Sequence, residues 1–266
     1  VVGSHGGLYA SHIRNEADGL VDAVEEALEI GREAKLPVHV SHFKSAMKQN
    51  WGKLRHAADR IEAARRNGQQ ATADQYPYPA SSTSFEPSVV PLGAIPGGAK
   101  DLRERMKADS SLERQVREVL ASRLGMTNDV MLCSCKKAEW RCRRISEIAE
   151  QQKLDPVDVA LEVYCSGGAT VINFSMSEED VRYGMTIPWV ATASDGWGAG
   201  PSNQPTYHPR LFGTFPRKIG RYTLEQNVLP LDQAIRSCTG LPSDILRLPE
   251  RGYLRETGNL VFHGAL

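Results

Sequence analysis

The sequence predicts an α/β fold built on a parallel, barrel-type sheet, and three observations predict it. Two apolar, β-rich runs, Tyr9-Ala10-Ser11-His12-Ile13-Arg14 and Val38-His39-Val40-Ser41-His42-Phe43-Lys44, each close on a histidine. A helical stretch from Val21 to Lys35 separates them, and another helix and strand follow directly. Strand, helix, strand, with a histidine at the end of each strand, is how a parallel α/β barrel offers metal ligands at its catalytic rim.

Each element has its own signal. In the first helix Leu20, Val21, Val24, Leu28, Ile30 and Ala34 recur at three- and four-residue steps with charges between them, and Pro37 closes it before the second histidine run. A second helix is expected from about Trp51 to Arg66. It ends at Asn67-Gly68 and leads into Ala71-Thr72-Ala73-Asp74 as a third strand. Successive βα units imply parallel strands joined by right-handed crossovers. From Ser81 to Gly98 the composition turns to Ser, Pro and Gly, and a charged helical stretch from Lys100 to Arg123 follows. This reads as an insertion over the barrel rim, around residues 81–125. Beyond it, strands are expected at Val130–Cys133 and Thr170–Phe174, with helices at Ile145–Gln152 and Pro156–Tyr164. A last strand, Trp189–Ala193, runs into Ser194-Asp195-Gly196. A long loop from Trp197 to Arg217 precedes helices at about Leu231–Cys238 and Pro242–Leu246. No internal repeat is visible.

Composition narrows the class. The chain has 266 residues, 41% hydrophobic and 24% charged, with 32 Lys+Arg against 32 Asp+Glu. That balance favours neither a nucleic-acid nor an anionic-membrane partner and points to a small-molecule enzyme. No apolar stretch approaches the length of a bilayer span and the first residues lack a signal-like pattern, so a cytoplasmic protein is expected. Five cysteines, an odd number, read as reduced thiols. Cys133, Cys135 and Cys142 lie close together but have no matched distal pair, and a second metal cluster is not expected there.

The chemistry gathers at strand ends. His12 and His42 each follow a small hydroxyl residue and precede an apolar one, with a cation two positions on, Arg14 and Lys44. Either histidine alone is more readily a core or capping residue; the repeated context is what suggests ligands. His39, three residues before His42, falls on the opposite strand face from it and reads as structural. Asp195, after an apolar strand and before glycine, is as much a turn signal as a functional one. Its place on the last strand suits a carboxylate that holds a metal ion or moves a proton. Two imidazoles and a carboxylate suit zinc. Arg210 and Arg217 in the long loop either neutralise a substrate or pair with nearby acids.

Six segments, in order, carry a specific resemblance: Tyr9 to Glu16, Ser41-His42-Phe43-Lys44, Asp74-Gln75-Tyr76-Pro77-Tyr78-Pro79-Ala80-Ser81-Ser82-Thr83, Met176-Ser177-Glu178-Glu179-Asp180-Val181, Ala193-Ser194-Asp195-Gly196, and His208-Pro209-Arg210-Leu211-Phe212-Gly213-Thr214-Phe215-Pro216-Arg217. Together they resemble the N-acyl-D-amino-acid deacylase (D-aminoacylase) family of the amidohydrolase superfamily. The resemblance implies a metal-dependent (β/α)8 barrel, with a small β-sandwich made from both chain ends. It implies one or two zinc ions, with His12 and His42 as metal ligands and Asp195 as general base and acid. Lys44, with Tyr76 and Ser82, is expected on the substrate carboxylate, and Met176 on the side-chain pocket. The implied activity is hydrolysis of N-acyl-D-amino acids, small-molecule substrates.

The departures shape the domain expectation. Family members begin with a sandwich piece and a first barrel strand carrying His-x-His, followed by a metal-bridging cysteine; neither is found in this sequence. Residues 1–250 are therefore read as the C-terminal part of an amidohydrolase barrel, a partial barrel. Residues 251–266, with Arg255-Glu256-Thr257-Gly258-Asn259-Leu260-Val261-Phe262, are read as an incomplete return to the sandwich. The expectation is a fragment, inactive alone, of a longer enzyme. Two alternatives stand beside it: a cyclic-amide hydrolase of the dihydroorotase or hydantoinase kind, disfavoured by the Tyr-Pro-Tyr and His-Pro-Arg segments, and a catalytically empty remnant.

Overall fold

The structure, a computed structural model, describes residues 1–198 and 208–254. Residues 255–266 of the expected sandwich return over 251–266, and residues 199–207 of the long loop, lie outside the described residues.

Four short strands make a parallel sheet in the order β1 (Tyr9–Ser11), β2 (Val38–Val40), β3 (Ala71–Gln75) and β8 (Val190–Thr192). The register is continuous, Tyr9 opposite Val38, Val38 opposite Ala71 and Ala73 opposite Val190. Helix α1 (Leu20–Glu33) joins β1 to β2, and α2 (Lys53–Arg66) joins β2 to β3. The apolar steps of α1 bury Leu20, Val24 and Leu28, and those of α2 bury Leu54, Ala57, Ala58 and Ile61. Both faces meet Val38, Val40, Phe43, Ala71, Ala73, Trp189 and Val190 in one core. Each such Leu, Ile or Val contributes roughly 1.5–3 kcal/mol through its burial. Close approach of α1 to the sheet requires Gly31, where a Cβ would come within 2.1 Å of the Val38 side chain.

The insertion begins where the composition shift placed it but runs well past residue 125. Strands β4 (Ser81–Ser84), β5 (Val130–Cys135), β6 (Arg143–Arg144) and β7 (Ala169–Asn173) form a second, antiparallel sheet in the order β4-β7-β5-β6. Helices α3 (Phe85–Val89), α4 (Leu102–Ala108), α5 (Ser110–Gly125), α6 (Ile145–Gln152) and α7 (Pro156–Cys165) complete it. The expected single helix over Lys100–Arg123 is broken at Asp109, whose carboxylate caps α5 by accepting from the Ser111 and Leu112 amides. This unit has its own core, with Trp140, Phe85, Leu120, Leu132, Ile145 and Ile148 fully buried.

The chain returns to the parallel sheet through α8 (Glu178–Thr186), capped by the Ser177 hydroxyl, and then β8. The end of the expected long loop is helical instead: α9 spans Arg210–Arg217 and passes into a π-helical stretch, Lys218–Glu225. Helices α10 (Leu231–Cys238) and α11 (Gly240–Leu246) follow. No helix among the described residues is long and apolar enough to cross a membrane.

Candidate metal centre and active site

The C-terminal ends of the parallel strands open onto a cleft of about 600 Å³, roofed by the start of β4 and the end of β7. His12 follows β1 by one residue and His42 follows β2 by two. Their nitrogens meet: His12 Nδ1 lies 2.9 Å from His42 Nε2, with the rings edge to face. Zinc bonds imidazole nitrogen at about 2.0–2.1 Å in tetrahedral geometry, so two histidine ligands of one ion stand roughly 3.3 Å apart. A shift of a few tenths of an ångström would seat an ion, and the donor set fits zinc.

Backbone geometry aims these groups. His42 has φ +40° and Asp195 φ +48°, left-handed turns just past β2 and β8 that histidine and aspartate adopt more readily than bulky residues. The turn at His42 is held by Asp74 at the end of β3. One of its carboxylate oxygens accepts from the His42 amide at 2.8 Å and the other lies 2.8 Å from His39 Nε2, while His39 Nδ1 lies 2.8 Å from the Thr72 hydroxyl. Both ring nitrogens of His39 are thus engaged by neighbours on β3.

Lys44 is buried against the site, and its Nζ donates to Glu16 and to the His42 carbonyl at 3.1 Å. Burial pulls its pKa below the usual lysine range, with Glu16 opposing. Glu16 is the residue that reasoning from sequence passed over. Its Oε1 lies 2.8 Å from His42 Nδ1 and 3.8 Å from His12 Nδ1, and the three ligand-type atoms of His12, Glu16 and His42 fall within 4.8 Å of one another. Burial alone would raise the Glu16 carboxyl, but the Lys44 ammonium and the His42 contact hold it down at about 2. His12 is held below its usual range, chiefly by partial desolvation, with Glu16 pulling upward and His42 and Lys44 downward. The only signal for Glu16 was its place four residues after His12.

Asp195 lines the same cleft and pairs with Arg210, whose Nη1 lies 2.8 Å from its Oδ2. Arg210 is buried, with its guanidinium 4.7 Å over the Tyr76 ring and its Nη2 3.4 Å from the Ser82 carbonyl. Of the two roles open to Arg210 in the sequence, pairing with an acid is the one observed, and it happens inside the cleft. Arg217 instead donates to the Pro77 carbonyl and stacks on Tyr78. His208 anchors this segment: its Nε2 lies 2.9 Å from the Ala80 carbonyl and its Nδ1 accepts from the Arg210 amide. Burial, and then Arg210, push its pKa down to about 4. Tyr76 and Ser82 line the cleft, while Met176 is buried with Tyr76 and Tyr78, where its backbone bridges to Ala46.

Among the described residues five buried side-chain polar atoms lack a hydrogen-bond partner, and four of them, on Tyr76, Arg123, Asn173 and Arg210, belong to residues lining this cleft. A buried polar group without a partner costs about 1–3 kcal/mol, so most of this cost among the described residues falls on residues around the cleft.

Sequence comparison finds relatives along nearly the whole chain. N-acyl-D-glutamate deacylase and D-aminoacylase of Alcaligenes xylosoxydans xylosoxydans are each 32% identical, over 96% and 95% of this chain. N-acyl-D-aspartate deacylase of the same organism is 34% identical over 96%. Over nearly its whole length the chain is homologous to these N-acyl-D-amino-acid deacylases. It spans 44% of the length of the first two of these relatives. No family model matches it. Deacylase structures share its fold: that of N-acyl-D-glutamate deacylase from Bordetella bronchiseptica, complexed with zinc and a phosphonate mimic of the tetrahedral intermediate, superposes with a TM-score of 0.73. The two are 31% identical, over 97% of this chain and 46% of that one. A D-aminoacylase studied for its binuclear metal centre gives 0.69 at 31% identity, over 94% and 44%. The partial barrel expected from the sequence matches these amidohydrolase neighbours.

Proposed function

We propose that this chain carries part of the active site of a zinc-dependent N-acyl-D-amino-acid deacylase, with His12 and His42 as ligands of the metal. The single observation that carries the reading is the meeting of His12 Nδ1 and His42 Nε2 at the mouths of adjacent parallel strands, in a cleft that also holds Asp195. Zinc in such a site supplies Lewis-acid polarisation of the amide carbonyl and makes a water molecule nucleophilic near neutral pH.

The chain's own residues do the rest. Asp195 takes the proton of the attacking water and returns it to the departing nitrogen, so that a carboxylate and a free amino acid leave. Arg210, paired with that carboxylate, fixes its direction and presents further N–H donors to an anionic substrate. Lys44, with Tyr76 and Ser82, completes the anchor for the α-carboxylate. An anchor fixed on one side of the metal lets only one enantiomer bring its amide to the reacting position. Met176, packed with Tyr76 and Tyr78, would act on the side-chain pocket through Tyr76. The substrate is a small molecule, and a cyclic-amide hydrolase has no observation in its favour here.

The test is hydrolysis of N-acetyl-D-amino acids, acidic and neutral, by the protein containing this chain. Release of D-amino acids but not of L enantiomers is expected. Asp195→Asn should lower kcat by about 10²–10⁴-fold with zinc content unchanged. Equal turnover of both enantiomers, or ring-opening of hydantoins instead, would overturn the proposal.

A further inference from the structure

The environment of His42 Nδ1 holds an unresolved competition. Glu16 Oε1, an acceptor, and Lys44 Nζ, a donor, both lie 2.8 Å from it. On the other side of the ring His42 Nε2 faces His12 Nδ1 at 2.9 Å. Two proton arrangements satisfy these contacts, with opposite polarity. If Lys44 donates to Nδ1, His42 carries its proton on Nε2 and donates it to His12. If Glu16 accepts from Nδ1–H, the Nε2 lone pair is free.

We propose that Glu16 is the positioning residue that selects the second arrangement. It holds His42 as the Nδ1–H tautomer with Nε2 presented to the metal, and it takes the Lys44 ammonium onto the same carboxylate. This inference rests on the reading of His42 as a metal ligand. The two ring nitrogens diverge, so an oxygen bonded to Nδ1 stands on the far side of the ring from whatever Nε2 holds. Glu16 therefore orients a ligand instead of serving as one, a pattern that fixes tautomer and ring direction in metal sites. The charges agree: an ionised carboxylate beside Nδ1 attracts the ring proton to that nitrogen, whereas a proton on Nε2 would leave the anion facing a lone pair. Lys44 still has acceptors without His42 Nδ1, namely Glu16 and the His42 carbonyl, and keeps one N–H for a substrate carboxylate. Glu16 is itself placed by its backbone, since its carbonyl accepts from the Ala46 amide at 2.7 Å, tying the segment after β1 to the segment after Lys44.

The experiment uses the protein containing this chain, with ¹⁵N-labelled histidine. Long-range ¹H–¹⁵N correlation spectra, at a pH where imidazole is neutral, should show His42 with a protonated Nδ1 and a bare Nε2. Glu16→Ala should shift it towards the Nε2–H form, and Glu16→Asp should restore part of the original signature. In zinc competition against a chelator, Glu16→Ala should weaken binding by about 10–100-fold, and His42→Asn by at least as much. A wild-type His42 protonated on Nε2, or a Glu16→Ala chain that keeps both the Nδ1–H signature and wild-type zinc affinity, overturns the role of Glu16. Zinc binding indifferent to His42→Asn would instead overturn the metal reading, and the tautomer spectra would still decide what Glu16 does. A residue that merely supported the fold would not move the tautomer of one ring.

Discussion

The parallel sheet and the inserted antiparallel unit divide the work of this molecule unequally. The parallel strands are three to five residues long, and nearly every group with reactive potential stands just past the end of one: His12 after β1, His42 and Lys44 after β2, Tyr76 after β3, Asp195 after β8. The inserted unit has a separate core around Trp140 and contributes a roof to the cleft, through Ser82 and Asn173. The difference shows that position along a strand, not strand length or core size, decides where chemistry can be gathered. Parallel neighbours all end on the same side, so residues within four positions of each end suffice to converge several side chains. An antiparallel sheet alternates its strand ends and converges nothing in that way.

The largest effect expected from this contrast is a separation of stability. Trp140→Ala removes a fully buried ring from the inserted core and should cost about 3–5 kcal/mol. Native-state hydrogen exchange should find that loss in β5 and α6, with β2 and β3 keeping their protection; uniform loss across both sheets would break the comparison. Next comes the tie between the segment before α9 and Ala80, just ahead of β4. His208 is buried and neutral, with its pKa lowered from 6.5 to about 4. Because the unfolded chain binds the extra proton first, its contribution to stability is complete above pH 6.5 and is lost as the pH falls towards 4, by on the order of 3 kcal/mol. Urea midpoints at pH 7 and pH 4.5 should differ more in the wild type than in His208→Gln. The smallest effect sharpens the account of the strand ends. Asp74→Ala leaves the His42 amide and His39 Nε2 without their acceptor and should cost about 1–3 kcal/mol, with faster exchange at the His42 amide.

Local periodicity made the parallel half readable. The steps of Leu20, Val24 and Leu28 place α1 within two residues at each end, and α6 and α10 have the bounds their patterns predict. The inserted sheet was readable as strands but not as a sheet, because β4 pairs with β7 across some ninety residues and no local signal reports such a partner. The helix of Arg210–Arg217 was hidden by Gly213 and Pro216, which mark loops in most contexts. Here Gly213 is required, since a Cβ would come within 2.4 Å of the Tyr78 hydroxyl. The histidines and Asp195 could be named as candidates because strand ends are visible in sequence. Glu16 and the Arg210–Asp195 pair could not, because their meaning lies in partners that only folding supplies.

The left-handed backbone at residues 42 and 195 has a practical consequence for anyone dissecting the site. Valine, isoleucine and threonine cannot occupy such a turn without strain, so a defect caused by them would mix altered shape with missing function. Asparagine adopts this conformation comfortably, matches aspartate in size and is smaller than histidine without being branched at Cβ. Exchanging His42 or Asp195 for it leaves the local path of the chain in place, and what is then lost can be assigned to the imidazole or the carboxylate alone.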